Sequence, residues 1–136
     1  NCRFGDPEAQ VLLPLMETDL AEVVHWCLEG EIHKREISWS RASSVGVVAA
    51  AQGYPGDYVK GLPIHIDYEV DQEVLVFHGG TKVQRNGQDS FLVTDGGRVL
   101  TVSGCGPTLA QAREKVYENI PKISFEGAHY RRDIGV

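Results

Sequence analysis

The chain has 136 residues, 42% of them hydrophobic and 24% charged, with a formal net charge of −6. That size and balance predict one soluble globular domain, and they exclude a broad basic face for nucleic acid or for an anionic membrane. No apolar run approaches the length of a bilayer span.

Three well-separated cysteines, Cys2, Cys27 and Cys105, form no C-x-x-C pair, and the five histidines show no H-x-x-x-H spacing. A disulfide framework or a zinc site is not expected, and a reducing, cytoplasmic setting is. Residue 1 is Asn rather than Met, which predicts a piece of a longer polypeptide.

In chain order, Asp6 is expected to cap a first helix, with Pro7 in its first position and Glu8 in its first turn. Pro14 should end or kink it. Thr18 is the expected cap of a second helix. There Leu20, Val23, Val24, Cys27 and Leu28 recur at helical spacing and predict one buried face, with Gly30 as the stop. Residues 44–52 read as a small-residue strand. Residues 53–61, GYPGDYVKG, read as a turn of type II, with Pro55 and Gly56 at its centre.

Residues 73–81 read as a strand running into glycines. Asn86-Gly87 predicts a hairpin, and Asp95-Gly96-Gly97 predicts a second one between two further strands. Thr108 with Gln111 makes a capping box for a helix whose apolar face is Leu109, Ala112, Val116 and Ile120, ended by Pro121. Residues 125–135 read as a short closing strand or loop. Helices, then an antiparallel meander, then a helix make an α+β domain.

On residue chemistry alone the motifs have plain structural readings. DPE is a helix start, HGG and DGG are turns, and Arg131-Arg132-Asp133 is an exposed charge cluster. His78, closing an apolar strand, reads as half-buried and hydrogen-bonded. GGRVL lacks the G-x-x-x-x-G-K-[ST] spacing and precedes a strand, so it is no phosphate loop. Asn1 and Arg3 stand at i and i+2, which on an extended strand face the same side. An amide oxygen there can join an octahedral oxygen shell around Mg²⁺, and a guanidinium can grip a phosphoryl group with its planar fork. An Asn and an Arg on an ordinary surface remain the alternative.

RFGDPEAQ (3–10) closely resembles the signature of the phosphoribosylamine–glycine ligase (glycinamide ribonucleotide synthetase) family. QVLLPLMETDLAEV (10–23), GYPGDYVKG (53–61), VFHGGT (76–81), GGRVLTV (96–102), GPTLAQAREKVY (106–117), FEG (125–127) and YRRDIG (130–135) resemble the family's C-terminal portion, in order. One departure is Gly79, where that family usually has alanine.

The resemblance implies an ATP-grasp ligase of purine biosynthesis, whose last catalytic strand reads E-x-N-x-R. Asn1 and Arg3 match the last two letters, and the glutamate would precede this chain. Residues 1–5 would end that strand, and 6–136 would form the C-terminal domain, a compact barrel-like β structure of the rudiment single-hybrid type. The implied activity joins glycine to 5-phosphoribosylamine with ATP, through glycyl phosphate. Asn1 would hold Mg²⁺ or Mn²⁺, and Arg3 would steady the transferring phosphoryl group. Tyr54, Pro55, Gly56, His78, Thr81, Arg131, Arg132 and Asp133 are candidates for the substrate cleft. The implied partners are the substrates and the ATP-grasp core of the same polypeptide, without which the piece would be inactive. A non-catalytic module that keeps the fold, or a sister ATP-grasp carboxylase, is the alternative. RFGDPE and YRRDIG argue against the carboxylase.

Overall fold

A computed structural model of the chain describes residues 2–136; Asn1 lies outside the described residues. The centre is a three-stranded antiparallel sheet in the order β1-β6-β3, formed by Ser43–Ala50, Arg98–Gly106 and Val74–His78. β6 lies in the middle and is buried along nearly all its length, because it is covered on both faces. Val45, Val47 and Ala49 of β1 point to one face, as period-two alternation requires. Helix α3 (Leu109–Asn119) crosses that face with Ala112 and Val116, followed by Ile120, and these residues form the main core.

Thr108 caps α3 as expected, its hydroxyl oxygen accepting the Gln111 N–H at 3.3 Å. The same hydroxyl donates to Gln111 Oε1 at 2.9 Å, so the glutamine side chain meets the cap and not the backbone. Leu109 departs from the expected face: it is 47% exposed at the very start of the helix, before the chain has come over the sheet. A 3-10 turn over Ile120–Lys122, with Pro121 in its first positions, ends the helix.

The other face of the sheet is crossed by α1 (Ala9–Leu12), whose Val11 lies over Gly46 and whose Gln10 carbonyl accepts from Ser103 Oγ at 2.7 Å. α1 begins later than expected. Asp6 does not cap it, because its carboxylate is taken by other partners described below, and the Asp6–Pro7 peptide is cis. A 3-10 turn at Leu13–Leu15 follows, consistent with Pro14.

Helix α2 (Leu20–Leu28) is capped by Asp19, whose carboxylate accepts the Ala21 N–H at 2.7 Å. Thr18, the expected cap, instead accepts the Ser38 N–H at 2.8 Å. Gly30 stops the helix at φ +72°, as expected. The predicted buried face is not found: among the described residues of α2, Val23 alone is buried. The helix packs mainly on the 3-10 turn Ile32–Lys34 that follows it, and among the described residues nothing covers the rest of its apolar side.

Two smaller sheets complete the fold. β4 (Thr81–Asn86) and β5 (Asp89–Thr94) form the expected hairpin, with Gly87-Gln88 rather than Asn86-Gly87 between the paired ends. Gly87 at φ +63° takes the first central place, the type II′ arrangement. β2 (His65–Ile66) pairs with β7 (Ile123–Ser124). The second expected hairpin does not form: β5 runs through Asp95-Gly96-Gly97 into β6, but the two belong to different sheets. The Asp95 N–H is spent on the Gly80 carbonyl at 2.7 Å, which carries the chain across to the central sheet. The fold is α+β and all named pairings are antiparallel; among the described residues they give three open sheets and no closed barrel.

Candidate functional site

One end of the central sheet gathers the glycine motifs. Ala50 closes β1 opposite Arg98, which opens β6, and His78 closes β3 opposite Leu100. The loops leaving these ends meet so closely that side chains do not fit. A Cβ on Gly80 would lie 2.5 Å from the Gly96 Cα, and one on Gly97 would lie 2.2 Å from the Tyr54 ring. Backbone bonds lock the meeting: Gly80 N–H to the Arg98 carbonyl at 2.8 Å and Ala51 N–H to the Gly97 carbonyl at 2.8 Å.

The Tyr54-Pro55-Gly56 turn differs from the type II geometry expected. The Tyr54–Pro55 peptide is cis, and Gly53, not Gly56, takes the left-handed conformation at φ +92°. The Gly56 N–H bonds the Gly53 carbonyl at 2.7 Å, so Pro55 holds the third position of its turn. Glycine is needed at 53 because a Cβ would meet the Asp57 carbonyl oxygen at 2.1 Å. This loop turns the Tyr54 ring onto Gly97 and frames a cavity of about 420 Å³ lined by Gln52, Gly53, Asp57, Tyr58, Leu62 and Glu126.

His78 and Thr81 are brought together, with His78 Nδ1 3.0 Å from Thr81 Oγ1, across the Gly79-Gly80 corner. His78 is exposed, not half-buried, because β3 ends there and the ring projects past the sheet. Lys60 Nζ reaches Asp95 at 3.5 Å and ties the 53–61 loop to the loop before β6.

The amino-terminal motif arrives at the same place. Asp6 Oδ2 accepts from Arg98 Nη2 at 3.2 Å, while Asp6 Oδ1 accepts from Gln10 Nε2 at 2.9 Å. One carboxylate thus joins the start of α1 to the first residue of β6. Arg3 lies exposed in a bend just upstream. The metal-ligand expectation falls on Asn1, outside the described residues. Among those described, no group of three or more His, Cys, Asp or Glu side chains is placed to hold a metal ion.

The closing YRRDIG segment runs along the outer edge of β1, with His129 bridged to Ala50 and Gly135 against Val45. Arg131 and Asp133 form a bidentate pair on the surface, Nε to Oδ1 at 2.8 Å. The Arg131 hydrogen bonds hold the Asp133 carboxyl below the usual carboxylate range, and the same bonds raise the Arg131 guanidinium. Arg132 stacks beside the Tyr130 ring. The segment reaches the amino-terminal motif one step later: Ile134 and Gly135 share a cavity of about 260 Å³ with Pro7 and Glu8.

Sequence reasoning missed the residues that fasten these parts. The GGRVL motif gives Arg98 no role by spacing, and the DPE motif predicts Asp6 as a cap, whereas the two side chains pair with each other. On α3, Arg113 donates to the carbonyls of Ile134 and Arg132 at 3.1 and 3.2 Å. Tyr117 donates to the Arg131 carbonyl at 2.9 Å and accepts the Ile134 N–H at 3.1 Å. The i, i+4 spacing of Arg113 and Tyr117, which stack on each other, was the available signal.

Residues 44–136 match the family model described as phosphoribosylglycinamide synthetase, C domain. A phosphoribosylamine–glycine ligase of Caldanaerobacter subterraneus is 45% identical over 98% of the chain, and one of Nostoc is 47% identical over 99%. A bifunctional purine biosynthetic protein of Dictyostelium discoideum is 46% identical over 99%. A crystal structure of phosphoribosylamine–glycine ligase from Thermotoga maritima superposes with a TM-score of 0.74 at 37% identity, over 98% of the chain. The chain spans 31%, 32% and 16% of the three relatives and 32% of the solved chain. The chain belongs to the phosphoribosylglycinamide synthetase family, and its residues 44–136 are that family's C domain.

Proposed function

We propose that the chain is the carboxyl-terminal part of an ATP-dependent ligase that joins glycine to 5-phosphoribosylamine. The glycine carboxylate attacks the γ-phosphorus of ATP and ADP leaves. The amine then attacks the carbonyl of glycyl phosphate, and phosphate leaves with glycinamide ribonucleotide formed. The observation that carries this reading is 45% identity to a ligase of that name over 98% of the chain.

Residues 1–5 end the catalytic strand of an ATP-grasp core in this reading, and 6–136 are the domain packed beside it. Arg3 presents a planar fork to the transferring phosphoryl oxygens, where fixed positive charge meets charge as it develops. Asp6 and Arg98 hold the backbone that carries Arg3 against the sheet end. The glycine loops around Tyr54, Pro55, Gly56, His78 and Thr81 wall the adjoining cleft, and Arg131, Arg132 and Asp133 close its other side. An amide oxygen such as that of Asn1 suits a hard divalent cation. Asn1, with a glutamate two positions upstream, would hold Mg²⁺ or Mn²⁺, which would neutralise charge on the polyphosphate. The three free cysteines fit a reducing cytoplasm.

The test is made in the full-length polypeptide. Arg3→Ala should lower kcat by about 10²–10³, the range for loss of one transition-state donor, while the KM for glycine changes little. Asn1→Ala should raise the Mg²⁺ concentration needed for half-maximal turnover. Turnover unaltered in both variants would favour a non-catalytic module.

A further inference from the structure

We infer that Arg113 and Tyr117 of α3 are positioning residues for the reaction, and that they act through Arg132, which meets the phosphate group of the sugar substrate. The closing segment runs beside β1 without pairing to it. After the two bonds between His129 and Ala50, no backbone–backbone hydrogen bond holds residues 130–135 among the described residues. Two side chains of α3 set its course instead. Arg113 donates from Nε to the Ile134 carbonyl at 3.1 Å and from Nη2 to the Arg132 carbonyl at 3.2 Å. The Tyr117 hydroxyl donates to the Arg131 carbonyl at 2.9 Å and accepts the Ile134 N–H at 3.1 Å. These four bonds fix the backbone on both sides of Arg132. Ordering an exposed loop costs about 1–2 kcal/mol of conformational entropy per residue, and a loop held against that cost places its side chains closely.

Of the three charged side chains that the loop carries, Arg132 is the one left for a ligand. Arg131 gives Nε and Nη2 to the Asp133 carboxylate, so those two charges answer each other. Arg132 enters none of the ion pairs among the described residues. Its guanidinium leans on the Tyr130 ring, 5.8 Å from the centroid. Tyr130 lies 6.4 Å from the Tyr117 ring, and Arg113 lies over Tyr117 at 4.7 Å. The four side chains thus form one cation–aromatic series from the helix to Arg132. A guanidinium held in place without a counter-ion is a preorganised fork for phosphate oxygens. In the proposed ligase Arg3 meets the transferring phosphoryl group on the amino-terminal side of the cleft. The closing segment bounds the other side, so the anion left for Arg132 is the phosphate monoester of 5-phosphoribosylamine. The inference rests on the chain being part of that ligase; its test compares substrates within an active enzyme, so the two can fail separately.

The experiment uses the full-length polypeptide and varies one substrate at a time. Arg132→Gln should raise the KM for phosphoribosylamine about tenfold or more, as expected for one lost charge-assisted partner. The kcat and the KM values for ATP and glycine should hold. Inhibition by glycinamide ribonucleotide, the stable product, should weaken in parallel. Tyr117→Phe keeps the ring and loses both hydroxyl bonds, and it should raise the same KM about threefold. Arg113→Ala should act alike, and Arg113→Lys, which keeps a donor for the carbonyls, should recover part of the loss. Once Arg132 is replaced by Gln, Tyr117→Phe should add nothing, because it acts through Arg132. A merely structural role would instead lower the thermal midpoint and persist in that background, which overturns the positioning. An active Arg132→Gln enzyme with an unmoved KM for phosphoribosylamine overturns the inference and leaves the ligase reading standing. A rise in the KM for ATP alone also overturns it, since the polyphosphate would then be the anion. A wild-type polypeptide that forms no glycinamide ribonucleotide defeats the ligase reading, and the inference with it.

Discussion

Arg98 Nη2 lies 3.2 Å from Asp6 Oδ2, and this pair joins the amino-terminal motif to the strand end where the glycine loops meet. Both side chains are about half exposed, so the pair itself adds little to stability, of order 0–1 kcal/mol. Its effect should be on position. In the full-length polypeptide, Arg98→Ala and Asp6→Ala should each lower kcat while the thermal midpoint moves little. The exchanged double variant Asp6→Arg with Arg98→Asp should recover part of the loss. Additive losses in that cycle would show that the two residues act independently.

Gly97 is buried beneath the Tyr54 ring, and a Cβ there would stand 2.2 Å from the ring edge. Gly97→Ala should destabilise by about 1–3 kcal/mol, the usual cost of overpacking. Adding Tyr54→Ala should relieve that cost, because the clash is with a side chain. Chemical denaturation of the four proteins of the cycle measures the coupling.

Val116 is fully buried between α3 and the sheet, whereas Leu109, on the same predicted face, is 47% exposed. Val116→Ala should cost about 2 kcal/mol and Leu109→Ala no more than about 0.5. Equal losses in urea denaturation would contradict this packing.

Those two leucine and valine positions show what the sequence makes legible. Period 3.6 identifies an apolar face but not what covers it. Hence the spacing places Ala112 and Val116 in the core, where they lie, but also Leu109 and the α2 residues Leu20, Val24 and Leu28, which are exposed. Local chemistry was readable where its partner is local, as in the Thr108 cap and the Gly87 hairpin. It failed where a distant partner competes: Asp6 is claimed by Arg98, Thr18 by Ser38 and Asp95 by Gly80. The ordered motifs pointed to the family, but the meeting of Gly80 with Gly96 and of Tyr54 with Gly97 depends on tertiary contacts that no spacing encodes.

The Asp133 carboxyl is held below the usual carboxylate range by its hydrogen bonds from Arg131. A depressed folded-state pKa contributes stability that is present above the unfolded value and is lost as pH falls through the folded one. The side chain titration followed by NMR should therefore show a midpoint below that of a free aspartate. Arg131→Gln should bring the midpoint back up. Both groups are exposed, so the shift should shrink in high salt.

Asn119, 2% exposed at the end of α3, uses both ends of its amide. Its Oδ1 accepts from the Asp71 N–H and from Lys122 Nζ, each at 2.9 Å, and its Nδ2 donates to the Lys115 carbonyl at 2.8 Å. The residue thereby pins the loop before β3 to the helix end. Asn119→Leu nearly conserves volume but leaves the Asp71 N–H without its partner and takes one acceptor from Lys122 Nζ. It should cost about 1–3 kcal/mol for the stranded N–H, more than the change in apolar area can return. Asn119→Asp keeps the acceptor and loses the donor, so it should fall between wild type and leucine. An Asn119→Leu variant as stable as wild type in urea denaturation would mean that water satisfies these groups and that the amide is not what fastens the loop.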